Sequence, residues 1–275
     1  MLIAINYHYV RPTYDAPHPG IHGITPSELG EQLNVLSALG AFVSAKELSE
    51  AVRGEGPGLP AVSFLVTFDD GLREQYEHAL PVLDAREVPA LFFVNTAPIA
   101  NRTLSRVHKI HLLRSETEPT RFAAELSEAA RGAGASLPDL PTAELATSQY
   151  RYDDVDVARL KYLLNFSLPG PFRDLLVDGM FAARFGAQEP ALSEDLYMTR
   201  AQIAELGQRE AIGSHGHEHV PLESIDTSGA QRLIDEASEL LEAWAGYRPY
   251  AFSHPYGSAP RRVDALLERA GFSYG

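Results

Sequence analysis

Two short runs, Val62-Ser-Phe-Leu-Val-Thr-Phe68 and Ala90-Leu-Phe-Phe-Val94, constrain the fold more than any other part of the chain. Both are nearly unbroken β-branched and aromatic residues, so a strand built from either has no polar face to turn toward water. Strands of this kind are buried on both sides, as in a parallel sheet covered by helices. Between them, Arg73–Arg86 has apolar positions near a 3.6 period, which predicts the helical crossover that joins parallel neighbours. The same rhythm recurs elsewhere. Leu2–Tyr7 reads as a first strand, followed by a polar loop through Pro12, Pro17 and Pro19. Thr25-Pro-Ser-Glu28 opens a helix with a capping box and an early proline. Phe42-Val-Ser predicts a short strand, Ala45–Arg53 a helix and Gly54–Pro60 a breaker-rich loop. Ala211-Ile-Gly-Ser and Tyr250-Ala-Phe-Ser are later strands on either side of a helix over Thr227–Ala245. Repeated β-α-β defines the α/β class, as a barrel or an open sheet. The stretch from about Ile99 to Tyr197 breaks the pattern with helical segments over Arg121–Arg131, Asp153–Asn165 and Phe172–Phe185. It is expected to be a helical insertion, the chain otherwise forming one domain over 1–275.

Composition excludes whole classes of function. Without cysteine there is no disulfide scaffold, thiolate zinc cage or cysteine nucleophile. A net charge of −14 disfavours nucleic acid as a partner, because binding phosphates needs a basic face. No stretch approaches the ~18 apolar residues of a membrane span. Met1–Asn6 has neither a basic flank nor a cleavage site, so it is expected to be a strand rather than an export signal, and the protein cytoplasmic. Nothing in the sequence indicates the oligomeric state.

Two motifs carry chemistry. Thr67-Phe-Asp-Asp-Gly71 sets Asp69 and Asp70 at the C-terminal end of a buried strand, the rim where parallel α/β folds keep their sites. Adjacent strand residues point to opposite faces, so both carboxylates can enter one pocket only if the strand ends there, and Gly71 supplies the freedom to turn. The pair could equally cap the following helix. In Ser214-His-Gly-His-Glu-His219, His215 and His219 are four apart and able to share a metal, while His217 falls off that face and is expected to support it or face solvent. No glutamate follows His215, so a zincin-type protease does not fit. One aspartate with two histidines is a facial triad that leaves coordination positions open, and the second aspartate is free to act as a base. Phe252-Ser-His-Pro-Tyr-Gly257 adds a rigid turn at the same rim.

Taken in order, Thr-Phe-Asp-Asp-Gly, Ser-His-xxx-His and Pro-Tyr-Gly resemble the polysaccharide deacetylase (NodB-homology) family of carbohydrate esterases. Tyr7-His8 and the stretch from Tyr197 into Ile212-Gly-Ser-His extend the likeness over the chain outside the insertion. The resemblance implies a distorted (β/α)7 barrel and metal-dependent hydrolysis of an acetyl group on an amino sugar or sugar-containing intermediate. Carried over by position, Asp69 is the base. Asp70, His215 and His219 hold one divalent ion, with Zn2+ expected, and the Tyr256 backbone N–H helps hold the oxyanion. Two features depart from the family pattern. Ser253-His254 stands where an arginine often orients the base, and a final Leu-x-His is absent before Gly275. Circularly permuted members place that last strand first, ending in Tyr-His, and residues 2–8 fit this arrangement. His8 is accordingly expected to be the general acid, with His254 as competitor at the leaving nitrogen and a structural bond to the Pro12–Pro19 loop as the alternative for His8. The same machinery could cleave a non-sugar C–N amide bond, and a barrel without turnover would bind sugar only. The insertion is expected to border the pocket, with Arg102, Arg106 and Arg114 available to an anionic substrate.

Overall fold

A computed structural model describes residues 1–18 and 21–275. Pro19, in the loop after the first strand, lies outside the described residues. The chain divides into two compact units, one of Met1–Ala16, His22–Ser105 and Pro190–Gly275, the other of Pro17–Ile21 and Arg106–Glu189.

The first unit is built on a parallel sheet. Strand β1 (Leu2–Tyr7) precedes α1 (Pro26–Ser37), which starts at a complete capping box between Thr25 and Glu28. Then come β2 (Ala41–Phe42), α2 (Ala45–Val52) with a second capping box between Ser44 and Glu47, and β3 (Ser63–Phe68). A π-helical turn over Gln75–Ala79 runs into α3 (Leu80–Asp84). Pro81 accounts for the widened turn, because it has no N–H to give the carbonyl of Glu77 and its ring crowds that oxygen. Strand β4 (Ala90–Val94) leads directly into α4 (Thr96–Asn101). β1 pairs β3 in parallel over its whole length, from Leu2 with Ser63 to Tyr7 with Phe68. β4 pairs β3 on the other side, and β2 joins β3 below it.

The second unit holds α5 (Arg106–Ser115), α6 (Pro119–Gly132), α7 (Ala143–Gln149), α8 (Val155–Tyr162) with a π turn over Leu163–Ser167, and α9 (Gly170–Phe185). Phe122, Leu126, Leu160, Leu163, Val177 and Phe181 are buried within it. Arg106 is held by Asp174 at 2.8 Å and Asp178 at 3.2 Å, and Lys109 by Asp178 and Glu189 at 3.1 and 3.2 Å. Burial lowers the pKa of Arg114. α4, whose last three residues fall within 99–197, and all but the first residue of α10 (Glu189–Leu196) belong to the first unit, where Arg102 is paired with Glu194 at 2.6 Å.

The first unit resumes with α11 (Arg200–Gly207), β5 (Ile212–Ser214), α12 (Thr227–Ala245) and α13 (Arg261–Ala270). β5 pairs β4 in parallel. The strand expected at Tyr250–Ser253 is reduced to parallel bridges, Ser214 with Phe252 and Ala251 with Tyr274. These bridges carry the parallel sheet on beyond β5, in keeping with a distorted (β/α)7 barrel. Alternation along the strands makes two apolar layers. Tyr7, Val66, Phe68, Phe92, Val94 and Ile212 pack outward under Leu29 and Leu33 of α1, Leu80 and Leu83 of α3, and Ile203 and Leu206 of α11. Leu65, Leu91, Phe93, Ala251 and Tyr274 face inward, where Ala45 and Leu48 of α2 cover them. Gly213 lies where any side chain would collide, since a Cβ there would be 2.4 Å from the Phe93 ring.

Candidate metal centre

β3 ends at Phe68 and the chain turns sharply. Asp70 takes a left-handed conformation (φ 77°) and so does Gly71 (φ 66°). Aspartate tolerates this region better than most side chains, but the turn stays strained and must be held by its surroundings. Gln75, fully buried, does the holding. Its Nε2 donates to the carbonyls of Asp69 (2.6 Å) and His8 (2.9 Å), and its Oε1 accepts from the Leu72 N–H at 3.2 Å. The turn thereby delivers both carboxylates to one rim, with Asp69 7% and Asp70 3% exposed.

The histidine loop after β5 meets this turn. His215 Nε2 lies 3.6 Å and His219 Nε2 3.3 Å from Asp70 Oδ1, and ligand atoms of the three residues fall within 4.8 Å of one another. Donors bound at ~2.0–2.2 Å to a tetrahedral ion are spaced by ~3–4 Å, and the two separations from Asp70 Oδ1 fall in that range, so the donor set suits a divalent cation. The protonation pattern fits as well. His215 Nδ1 is 2.8 Å from the Ser253 carbonyl, which can only accept, so Nδ1 carries the proton and the Nε2 lone pair is left for a ligand bond. Behind Asp70, burial and then the Asp70 charge push the phenol of Tyr9 well up.

The loop is clamped from β4. Asn95, fully buried, donates from Nδ2 to the His215 carbonyl at 2.6 Å, and the N–H groups of Thr96 and Ala97 reach the carbonyls of Gly216 and His217. His217 sits between Thr96 Oγ1 at 2.8 Å and Glu236 at 3.6 Å, outside the three-residue cluster, as a brace on the loop. The Tyr256 ring packs edge-on against His219, with centroids 4.7 Å apart, and Tyr256 is itself left-handed (φ 59°). His254 packs against Phe252, and burial pushes its imidazole below the ordinary value. His8 follows β1. The Asp69 N–H donates to the Tyr7 carbonyl, so continuing the register sets His8 beside Asp69 with an exposed side chain.

Motif spacing identified Asp69, Asp70, His215 and His219, but Asn6, Gln75, Asn95 and the Ser253 carbonyl were not singled out. Asn95 precedes a helix and reads as its cap, a role its side chain does not fill. Gln75 and Asn6 belong to no motif; Asn6 acts on Asp69 across two strands, and Gln75 ties its own turn to the His8 carbonyl.

The polysaccharide deacetylase profile matches residues 58–128 and 193–275, which include the aspartate pair, the histidine loop and the Pro-Tyr-Gly turn but neither Asn6 nor His8. No curated protein matches the sequence. Among solved structures, a de-N-acetylase from Aggregatibacter actinomycetemcomitans superposes with a TM-score of 0.55 at 16% identity, covering 98% of this chain and 85% of that one. IcaB from Ammonifex degensii gives 0.53 at 20% identity, with 98% and 81% covered. The Streptococcus pyogenes deacetylase PplD, solved with acetate, gives 0.51 at 13% identity, with 100% and 81% covered. At these identities the likeness is one of fold.

Proposed function

The chain belongs to the polysaccharide deacetylase family, and from that premise we propose that it hydrolyses the N-acetyl group of an amino sugar with the help of one divalent ion, Zn2+ in the simplest case. The observation that carries this is the convergence of Asp70, His215 and His219, with the buried carboxylate of Asp69 beside them at the C-terminal rim of the sheet. Three protein ligands leave coordination positions open, as hydrolytic sites require. When bound, the ion would polarise the acetyl carbonyl and lower the pKa of a water molecule.

Asp69 takes a proton from the attacking water as the new C–O bond forms. The Tyr256 backbone N–H donates to the developing oxyanion, a contact worth about 3 kcal/mol of barrier in comparable sites. The C–N bond then breaks as His8 gives a proton to the departing amine, yielding acetate and an amino sugar. His8 fits this role because β1 lies parallel beside β3, where a permuted chain would carry its final strand. His254, whose pKa burial lowers, is the competitor at the leaving nitrogen.

Acetate release from N-acetylated mono- and oligosaccharides by zinc-loaded protein tests the reading. Asp70→Ala, His215→Ala and His219→Ala are each expected to lose metal and turnover together. Asp69→Asn is expected to keep stoichiometric zinc and lose about 10²–10⁴ in rate. His8→Ala is expected to keep zinc and lose turnover, whereas an active His8→Ala beside an inactive, zinc-bound His254→Ala would give the acid role to His254. Stoichiometric zinc in a ligand variant, or no acetate from any N-acetyl sugar, would reject the assignment.

A further inference from the structure

Alternation along β1 and β3 puts Asn6 on the same face as Thr67, its register partner, and Asp69 follows Thr67 on that face. Asn6 Nδ2 donates to Asp69 Oδ2 at 2.8 Å. The carboxylate decides which way round the amide sits, since an ionised carboxylate only accepts and the amide must present its N–H end. The other end is held too. Thr67 Oγ1 is 3.1 Å from Asn6 Oδ1 and 3.3 Å from the Ile5 carbonyl, so its hydroxyl proton is shared between two acceptors of the neighbouring strand. The remaining carboxylate oxygen, Asp69 Oδ1, is buried and has no hydrogen-bond partner among the described residues. The two oxygens are thus unequal, one occupied by a fixed donor and one open.

We propose that Asn6 is a positioning residue for the deacetylation, holding Asp69 through Oδ2 so that Oδ1 alone faces the water it must deprotonate. The proposal rests on Asp69 being the base. Fixing that side chain matters because proton abstraction needs near-attack geometry, and a displacement of about 1 Å can lower a rate about 100-fold. Asn6 is exposed and fills no core position, so its removal leaves the fold intact.

The test is a double-mutant cycle on zinc-loaded protein, reading kcat, KM, zinc affinity by chelator competition and thermal midpoint. Asn6→Ala is expected to lower kcat about 10- to 100-fold with KM, zinc affinity and thermal midpoint unchanged. Asn6→Asp keeps the shape but turns an acceptor toward the carboxylate, and is expected to fall at least as far. In an Asp69→Asn background, Asn6→Ala is expected to have no further effect. Equal losses in both backgrounds, or a kcat within twofold of the parent in Asn6→Ala while Asp69→Asn is inactive, would overturn the proposal and leave the base assignment standing. Full turnover in Asp69→Asn would overturn both.

Discussion

At the scale of single residues, the site works by removing choices from its polar groups. His215 loses the choice of tautomer to the Ser253 carbonyl, and the buried amide of Asn95 fixes its backbone. The residues that do this were invisible in the sequence for a physical reason. A backbone carbonyl can belong to any residue type, so nothing in Ser253 advertises its oxygen. The candidate ligands Asp70, His215 and His219 could be picked out because metal binding restricts residue type and spacing at once, and the fold brings the three together. His254 offers a pH test of the same environment. Burial depresses its pKa, so the group contributes stability above the ordinary value near 6.5, and that contribution is lost as pH falls below 6.5 toward the lowered folded value. In chelator-treated protein, the thermal midpoint is expected to drop less between pH 7.5 and 5 in His254→Gln than in the parent. An unchanged drop would mean that His254 does not titrate in that window.

At the scale of elements, the periods of the sequence identified most strands and helices, and tertiary packing set their lengths. β3 and β4 were plain because both faces are buried. The strand expected around Tyr250 dwindled to two bridges, and β2 to two paired residues, because pairing length depends on what the neighbours offer rather than on local propensity. The break in the helix after β3 could have been anticipated from Pro81. Phe68 shows what sheet packing contributes. It is fully buried and stacked between Tyr7 at 5.4 Å and Phe92 at 5.0 Å, one residue before the aspartate pair. Phe68→Ala is expected to destabilise the protein by about 3–5 kcal/mol in a denaturant titration. A loss below about 1 kcal/mol would mean that the stack relaxes around the gap. Gly213→Ala, by contrast, would force a methyl into the Phe93 ring beneath the histidine loop.

At the scale of the whole molecule, an acidic chain concentrates its chemistry where four separate segments meet, at residues 6–8, 69–70, 215–219 and 253–256. Metal should be linked to stability, since the three ligands converge only in the folded chain. Saturating zinc at 100 times its dissociation constant is expected to add about 2.7 kcal/mol to unfolding, and chelation to remove it. β1 contributes Asn6 and His8 to this meeting point, yet its first half is poorly sheltered, with Leu2 41% and Ile3 37% exposed. Its partner in β3 lies about sixty residues away along the chain. Such a strand can fray while the helices over β3, β4 and β5 stay packed. In the proposed enzyme β1 is then the tongue of a clasp. Unfastening it would withdraw the proposed acid, His8, and the proposed brace, Asn6, so turnover is expected to fail at a lower denaturant concentration than the far-UV circular dichroism signal. Tethering β1 to β3 would then raise the denaturant concentration at which turnover fails.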